Sequence, residues 1–341
     1  MTERTIFLNA VEKVSASERT AYLDEVCAGR PALRRRVDEL LRSHDAIDSF
    51  LDVPAMEQME AGSQSLAFLG PPGESNSLGR LDYYEILEVV GRGGTGMVLR
   101  AKDTKLQRVV AVKVLAPALA ASAKARERFV REAQAAAAVR DDHVVAIYAV
   151  SDEGPVPYLV MDFIHGITLE ERVRHAQGGL ELKEILRIGL QVAKGLSAAH
   201  AQGLIHRDIK PANILLENSV QRVKITDFGL AGAAADASRT WTGVIAGTPL
   251  YMSPEQALGR FTDQRTDLFS LGSVLYTLCT GLAPFRDESS AAVMERVCKE
   301  TPRPVRELNP AIPKWLEALV ARLHAKEMAD RPASAQEVAD L

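Results

Sequence analysis

Asp208, Lys210 and Asn213 stand close together in His206-Arg207-Asp208-Ile209-Lys210-Pro211-Ala212-Asn213. A carboxylate, an ammonium and an amide at that spacing can hold a hydroxyl, a phosphoryl group and a metal ion at once. The stretch starts where the apolar run Gly203-Leu204-Ile205 ends, so it reads as a loop. Asp227 follows downstream in Asp227-Phe228-Gly229. Asn213 and Asp227 both offer oxygen, the donor a hard cation takes. Far upstream lies Gly91-Arg92-Gly93-Gly94-Thr95-Gly96-Met97-Val98. Glycines there let backbone N–H groups approach phosphates that a side chain would block. Lys113 ends the apolar run Val110-Ala111-Val112. A lysine buried alone is costly, so this one needs a partner.

The elements that must position these groups are legible around them. From Tyr83 the pattern alternates as strands do, with Tyr84, Ile86 and Val89 leading into the glycine turn. A G-x-G-x-x-G alone is weak, and in a dinucleotide-binding fold it opens a helix. Here Met97-Val98-Leu99-Arg100-Ala101 follows, so the glycines join two antiparallel strands. Phe129-Val130-Arg131-Glu132-Ala133-Gln134 runs into the alanine-rich Ala135 to Ala138, which favours a closely packed helix. Leu182, Ile185, Leu186, Val192 and Leu196 form an amphipathic helix that supports the His206–Asn213 loop. His200 and His206 read as structural, since no His/Cys/Asp cluster at zinc spacing surrounds them.

Taken in order, these motifs resemble the eukaryotic-like serine/threonine protein kinases, most closely their bacterial branch, from about Tyr83 to the C-terminus. The resemblance implies an α+β, bilobal protein-kinase fold. Its N-lobe, about 81–162, is a small antiparallel sheet plus one helix, and its C-lobe, about 163–341, is larger and mainly helical. It implies an enzyme that transfers the γ-phosphoryl group of ATP, with Mg2+, to Ser/Thr hydroxyls of protein substrates. Asp208 would orient the acceptor hydroxyl and take its proton, and Lys210 would neutralise charge on the transferring group. Asn213 and Asp227 would hold Mg2+. Lys113 would contact the α- and β-phosphates and pair with Glu132, ahead of its nearest competitor Glu127. Val90, Gly91, Arg92, Gly93, Gly94, Thr95, Gly96, Met97 and Val98 would cover the nucleotide. Ala111 and Leu215 would sandwich the adenine, Met161 would guard the back of its pocket, and backbone groups of Asp162 and Ile164 would bond its edge. Thr248 would bond Asp208 and Lys210, which with Lys210 itself points to Ser/Thr rather than Tyr specificity. Glu255 would be buried against Arg331, and Asp267 would brace the catalytic loop from below.

Between Gly229 and Gly247, Thr240 and Thr242 flank Trp241 among small residues. Arg207, next to Asp208, offers a bidentate guanidinium to a phosphate from that loop. The expectation is activation by autophosphorylation there.

The rest of the chain adds organisation rather than chemistry. Of its 341 residues, 47% are hydrophobic, which suits an ordinary folded core, and the formal net charge of -4 gives no sign of nucleic-acid binding. Cys27, Cys279 and Cys298 form no C-x-x-C pair, so neither a disulfide framework nor a zinc site is expected, and a cytoplasmic setting is. No run of about 18 apolar residues is present, so membrane anchoring is expected only if the chain continues beyond 341. Residues 1–60 read as a small all-α segment. Ile6, Phe7, Ala10, Val11 and Val14 lie at helical spacing, and Ser15 with Glu18 makes a capping box. Residues 61–80, rich in Gly, Ser and Pro, read as a flexible linker. Three other readings stand beside the enzyme: a scaffold without turnover, an interaction module in the N-terminal helices, and a small-molecule kinase. The scaffold reading requires loss of Lys113, Asp208, Asn213 or Asp227, and all four are present. Homodimerisation for phosphorylation in trans is a further expectation carried by the resemblance.

Overall fold

The computed structural model describes residues 22–23, 26–27, 30, 33–34, 66–93, 95–176, 178–217, 222–228 and 249–341. The chain divides into two units, Met1–Ala67 and Phe68–Leu341. In the first, Tyr22, Leu23, Leu33 and Arg34 are helical, and Leu23 and Cys27 are buried.

The second unit opens with a six-stranded sheet. Its strands are β1 (Gly79–Leu81), β2 (Tyr84–Gly93), β3 (Gly96–Asp103) and β4 (Arg108–Leu115), then, after two helices, β5 (Ile147–Ser151) and β6 (Tyr158–Asp162). The spatial order is β1-β2-β3-β4-β6-β5, and every pairing is antiparallel. Between β4 and β5 lie α1 (Pro117–Ala120) and α2 (Ala123–Ala137). Ser122 caps α2, its hydroxyl accepting from the Ala125 N–H. Small alanines let α2 sit close to the sheet, burying Phe129, Ala133 and Ala136.

The stretch expected to be a flexible linker differs in its second half. Gly70 and Arg80 exchange backbone hydrogen bonds, and β1 pairs with β2. The cause is Glu85, which has no solvent exposure. Its carboxylate accepts from the backbone N–H groups of Gly73 and Glu74, from the Ser77 hydroxyl, and from Arg80 Nε. The Ser77 bond is the largest influence on that carboxyl, and with the others it outweighs burial and lowers its pKa to about 2. A polar, glycine-rich segment thus gains order from one buried charge rather than from an apolar core.

Beyond β6 the fold turns helical. β7 (Gly166–Thr168), α3 (Leu169–His175) and the long α4 (Leu182–Ala201) are followed by the hairpin β8 (Ile214–Glu217) and β9 (Arg222–Ile225). β7, β8 and β9 form a second small antiparallel sheet. Then come α5 (Pro254–Ala257), α6 (Gln264–Thr280), α7 (Ser290–Lys299), α8 (Val305–Leu308), α9 (Lys314–Leu323) and α10 (Ala335–Asp340). α6 is buried continuously from Thr266 to Cys279. A helix apolar on every side has no stripe to present and belongs at the centre. Gly281, left-handed at φ 75°, ends it. The main core joins α4, α6, α9 and the β8–β9 hairpin.

Candidate active site

The 206–213 loop is fixed from beneath by Asp267, a carboxylate with no solvent exposure. It accepts from the backbone N–H groups of His206 (2.8 Å) and Arg207 (2.7 Å) and contacts His200 Nε2 at 2.8 Å. Arg207 takes φ 64°, a left-handed conformation uncommon outside glycine, and these bonds hold it there. Gln256 of α5 adds a bond from Nε2 to the Arg207 carbonyl. His206 is buried; its Nε2 lies 2.8 Å from the Thr226 carbonyl and its ring packs, tilted, against Phe228 with centroids 4.6 Å apart. Both histidines therefore do the structural work expected of them.

On this support, Asp208 Oδ2 lies 2.8 Å from Lys210 Nζ and accepts from Asn213 Nδ2 at 2.9 Å. The same Nδ2 bonds the Asp208 carbonyl. Both bonds use the amide nitrogen, so the Asn213 oxygen is turned away from Asp208. The β8–β9 hairpin brings in the second acidic group: the Thr226 N–H donates to the Asn213 carbonyl, and Asp227 is the next residue. Asp227 is also left-handed, at φ 66°. Its Oδ2 lies 2.8 Å from Lys113 Nζ, which joins the β-sheet lobe to the helical one. Burial alone would raise the Asp227 pKa, but the Lys113 ammonium outweighs it and lowers it. Two oxygen-bearing side chains, one an ionised carboxylate, fit a hard cation.

Lys113 lies on one face of the sheet with its neighbours. It pairs with Val98 on one side and Leu159 on the other, and Ala111 pairs with Met161. Residues two apart share a face, so Val98, Ala111, Lys113 and Met161 line a common surface. Met161 Sδ also meets the Thr226 hydroxyl. Met97 is the exception among the glycine-turn residues, for its side chain points to the opposite, buried face. Val90, Gly91, Arg92 and Gly93 run along an exposed strand end, and Thr95 is half-buried where the chain returns. Gly96, at φ 149°, passes so close to the Val114 carbonyl that an added Cβ would fall 1.9 Å from its oxygen. Asp162 donates its backbone N–H to Ala146 and Ile164 follows in the connecting segment. Leu215, half-buried, lies on the face of β8 opposite to the fully buried Ile214 and Leu216.

One expected pair is not formed. Glu132 does not meet Lys113; its Oε1 accepts from Arg128 Nε at 3.0 Å, and its buried Oε2 has no hydrogen-bond partner. Arg128 lies one turn earlier on the same helix face, so it reaches Glu132 without any movement of α2. Lys113 meanwhile is held by Asp227. Burial raises the Glu132 pKa, only partly offset by Arg128. Gly94, Thr248, Thr240, Trp241 and Thr242 lie outside the described residues.

Further down, Glu255 and Arg331 form a buried two-pronged pair at 2.8 and 2.9 Å. Thr266 donates to the same carboxylate at 2.7 Å. Burial pushes the Glu255 carboxyl up, and Arg331 more than offsets it. Sequence reasoning missed Gln256 and Arg128. The Ser253–Gln256 capping box was a signal for the first, and the i, i+4 spacing to Glu132 for the second.

This two-lobed scaffold, with Lys113 and Asp227 bridging its lobes, is that of a protein kinase. The protein kinase domain family matches residues 84–340, and the chain belongs to that family, within its bacterial serine/threonine branch. It is 40% identical over 267 residues to the serine/threonine-protein kinase PknB of Mycobacterium tuberculosis, covering 76% of this chain and 42% of that protein. It is 39% identical over 256 residues to a probable serine/threonine-protein kinase of Clostridium perfringens, covering 75% and 37%. The chain thus spans about two-fifths of the length of these relatives. Among solved structures, the PknI kinase domain of Mycobacterium tuberculosis superposes with a TM-score of 0.63 at 28% identity, over 79% of this chain and 97% of that one. No helix among the described residues is long and apolar enough to cross a membrane.

Proposed function

We propose that the chain is an active protein kinase that transfers the γ-phosphoryl group of ATP to serine or threonine hydroxyls of proteins. The observation that carries this reading is the connected set Lys113–Asp227 and Asn213–Asp208–Lys210, tied together through Thr226. Such transfer asks the protein for positioning and charge stabilisation rather than covalent chemistry. Asp208 orients the acceptor hydroxyl and takes its proton. Lys210 offsets charge on the group in flight, and Lys113 holds the phosphate chain. Asn213 and Asp227 are the residues that would hold Mg2+, which when bound neutralises phosphate charge. Val98, Ala111, Met161 and Leu215 enclose the adenine, with Asp162 and Ile164 at its edge and residues 90–97 over the phosphates. In the working state Glu132 leaves Arg128 and takes Lys113, freeing Asp227. Thr248 bonds Asp208 and Lys210 when substrate is present.

Thr240 or Thr242 receives an activating phosphate that docks on Arg207, two such chains acting on each other. Mass spectrometry after incubation with Mg-ATP tests this; phosphate confined to residues outside 238–242 refutes it. The main reading is tested by incubation with ATP labelled in its γ-phosphate and acid hydrolysis of the products. Phosphoserine and phosphothreonine are expected, and label found only in free phosphate or in phosphotyrosine contradicts the proposal.

A further inference from the structure

Behind the cleft, the segment that joins α2 to β5 roofs a second cavity of about 850 Å³. Its walls include Arg140, His143, Tyr148, Lys194 and Lys224. The roof is held to β9: Ile225 donates to the His143 carbonyl, and Val145 donates to the Ile225 carbonyl. Between these two anchors, Val223 and Ile225 turn into the core with no exposure, so Lys224 must point the other way, into the cavity.

Lys224 is only 9% exposed, yet it forms no ion pair or side-chain hydrogen bond among the described residues. Its stem is covered while its ammonium reaches solvent in the groove, where it can meet an anionic group from outside. Arg140 on the roof and Lys194 on the exposed side of α4 add two further cations, also without ion pairs among the described residues. Two acids border the same cavity. Asp141 is engaged, its carboxylate accepting the His143 N–H at 2.7 Å, and Asp142 is exposed at the rim. Three cations against two acids leave this concave surface with a formal charge of +1, opposite in sign to the chain's net charge of -4. The volume exceeds what a single small anion fills, and the shape is an open trough rather than a closed pocket.

We infer that this rear groove binds an acidic peptide segment of a partner protein, one carboxylate reaching Lys224 and its neighbours lying along Arg140 and Lys194. No residue of the phosphoryl-transfer site lines it, but Lys224 is the cross-strand partner of Leu215, so the KM for ATP of each variant is measured beside peptide binding.

The test uses the full chain with Mg-ADP at saturation, which keeps peptides out of the nucleotide cleft. A fluorescein-labelled peptide of alternating Glu and Ala, and one of alternating Lys and Ala, are titrated by fluorescence anisotropy. The Glu/Ala peptide is expected to bind saturably and the Lys/Ala peptide not to bind. Lys224→Met is expected to weaken binding at least about tenfold while leaving phosphate transfer to a neutral peptide unchanged. Lys194→Glu, on an exposed helix face, provides the same test should Lys224→Met fold poorly. Equal affinity for both peptides, or affinity unchanged in both variants, overturns the assignment. Complete displacement by inorganic phosphate at concentrations near the protein's own also overturns it, by marking a small-anion pocket instead of a peptide groove.

Discussion

Asp267 shows how much of the proposed chemistry would depend on a residue that touches no reactant. Its two backbone bonds keep Arg207 left-handed and so decide where Asp208 points. Asp267→Asn keeps the shape but gives up the charge and one acceptor. We expect kcat to fall by up to about 10²-fold with the KM for ATP nearly unchanged, because misplacing the loop harms the transition state more than nucleotide binding. Steady-state kinetics with matched thermal stability checks this; unchanged kcat rules it out. The residues proposed for the site stood out in the sequence because their types and order suit the charge of a phosphate chain. Their instantaneous partners did not. Lys113 had Glu132 and Glu127 as candidates from sequence; the i, i+4 spacing signalled that Arg128 could reach Glu132, but nothing in it revealed that Asp227 takes the lysine. Glu132→Gln is expected to lower kcat at least about tenfold although it breaks no contact with Lys113 in this structure. Wild-type turnover would show that the Arg128-bound arrangement is already the working one.

At the level of elements, the glycine turn, α2 and α4 follow from local pattern, whereas the buried Glu255–Arg331 pair, 76 residues apart in sequence, was expected only from the family resemblance. α6 was harder to read. Its apolar residues fall on every side, so no helical stripe stands out, although a long apolar run between the Asp263 cap and Gly281 was a usable signal. The linker was misleading for the opposite reason: its composition cannot make a core, and its order comes from one distant carboxylate, Glu85. The Glu255–Arg331 pair ties α5 to the segment before α10, across the start of α6. Either Glu255→Ala or Arg331→Ala strands a buried charge, at about 3–5 kcal/mol of stability. Urea unfolding of both variants measures it, and a loss below about 1 kcal/mol in each would contradict the pair's structural role.

For the whole molecule, the unit that carries the chemistry begins near Phe68 rather than at the first strand. A chain starting at Phe68 is expected to keep full transferase activity. One starting at Gly79 loses Gly73, Glu74 and Ser77 and leaves Glu85 buried with Arg80 alone, so it should melt several degrees lower. Equal melting temperatures would remove Glu85 from the account. The same carboxylate gives a pH signature. Its folded pKa of about 2 lies below the ordinary value of 4.5, so its stabilisation is complete above 4.5 and fades as pH falls towards 2. Glu85→Gln should therefore flatten that part of the acid limb.

The most direct test of the central claim compares wild type with Asp208→Asn in transfer of labelled γ-phosphate to a Ser/Thr protein substrate, both saturated with Mg-ATP. With Lys113, Asn213 and Asp227 intact, nucleotide binding should be equal and transfer should fall by about 10²-fold or more. Equal transfer by the two proteins would mean that Asp208 does not steer the acceptor, and the assignment of this site would be wrong.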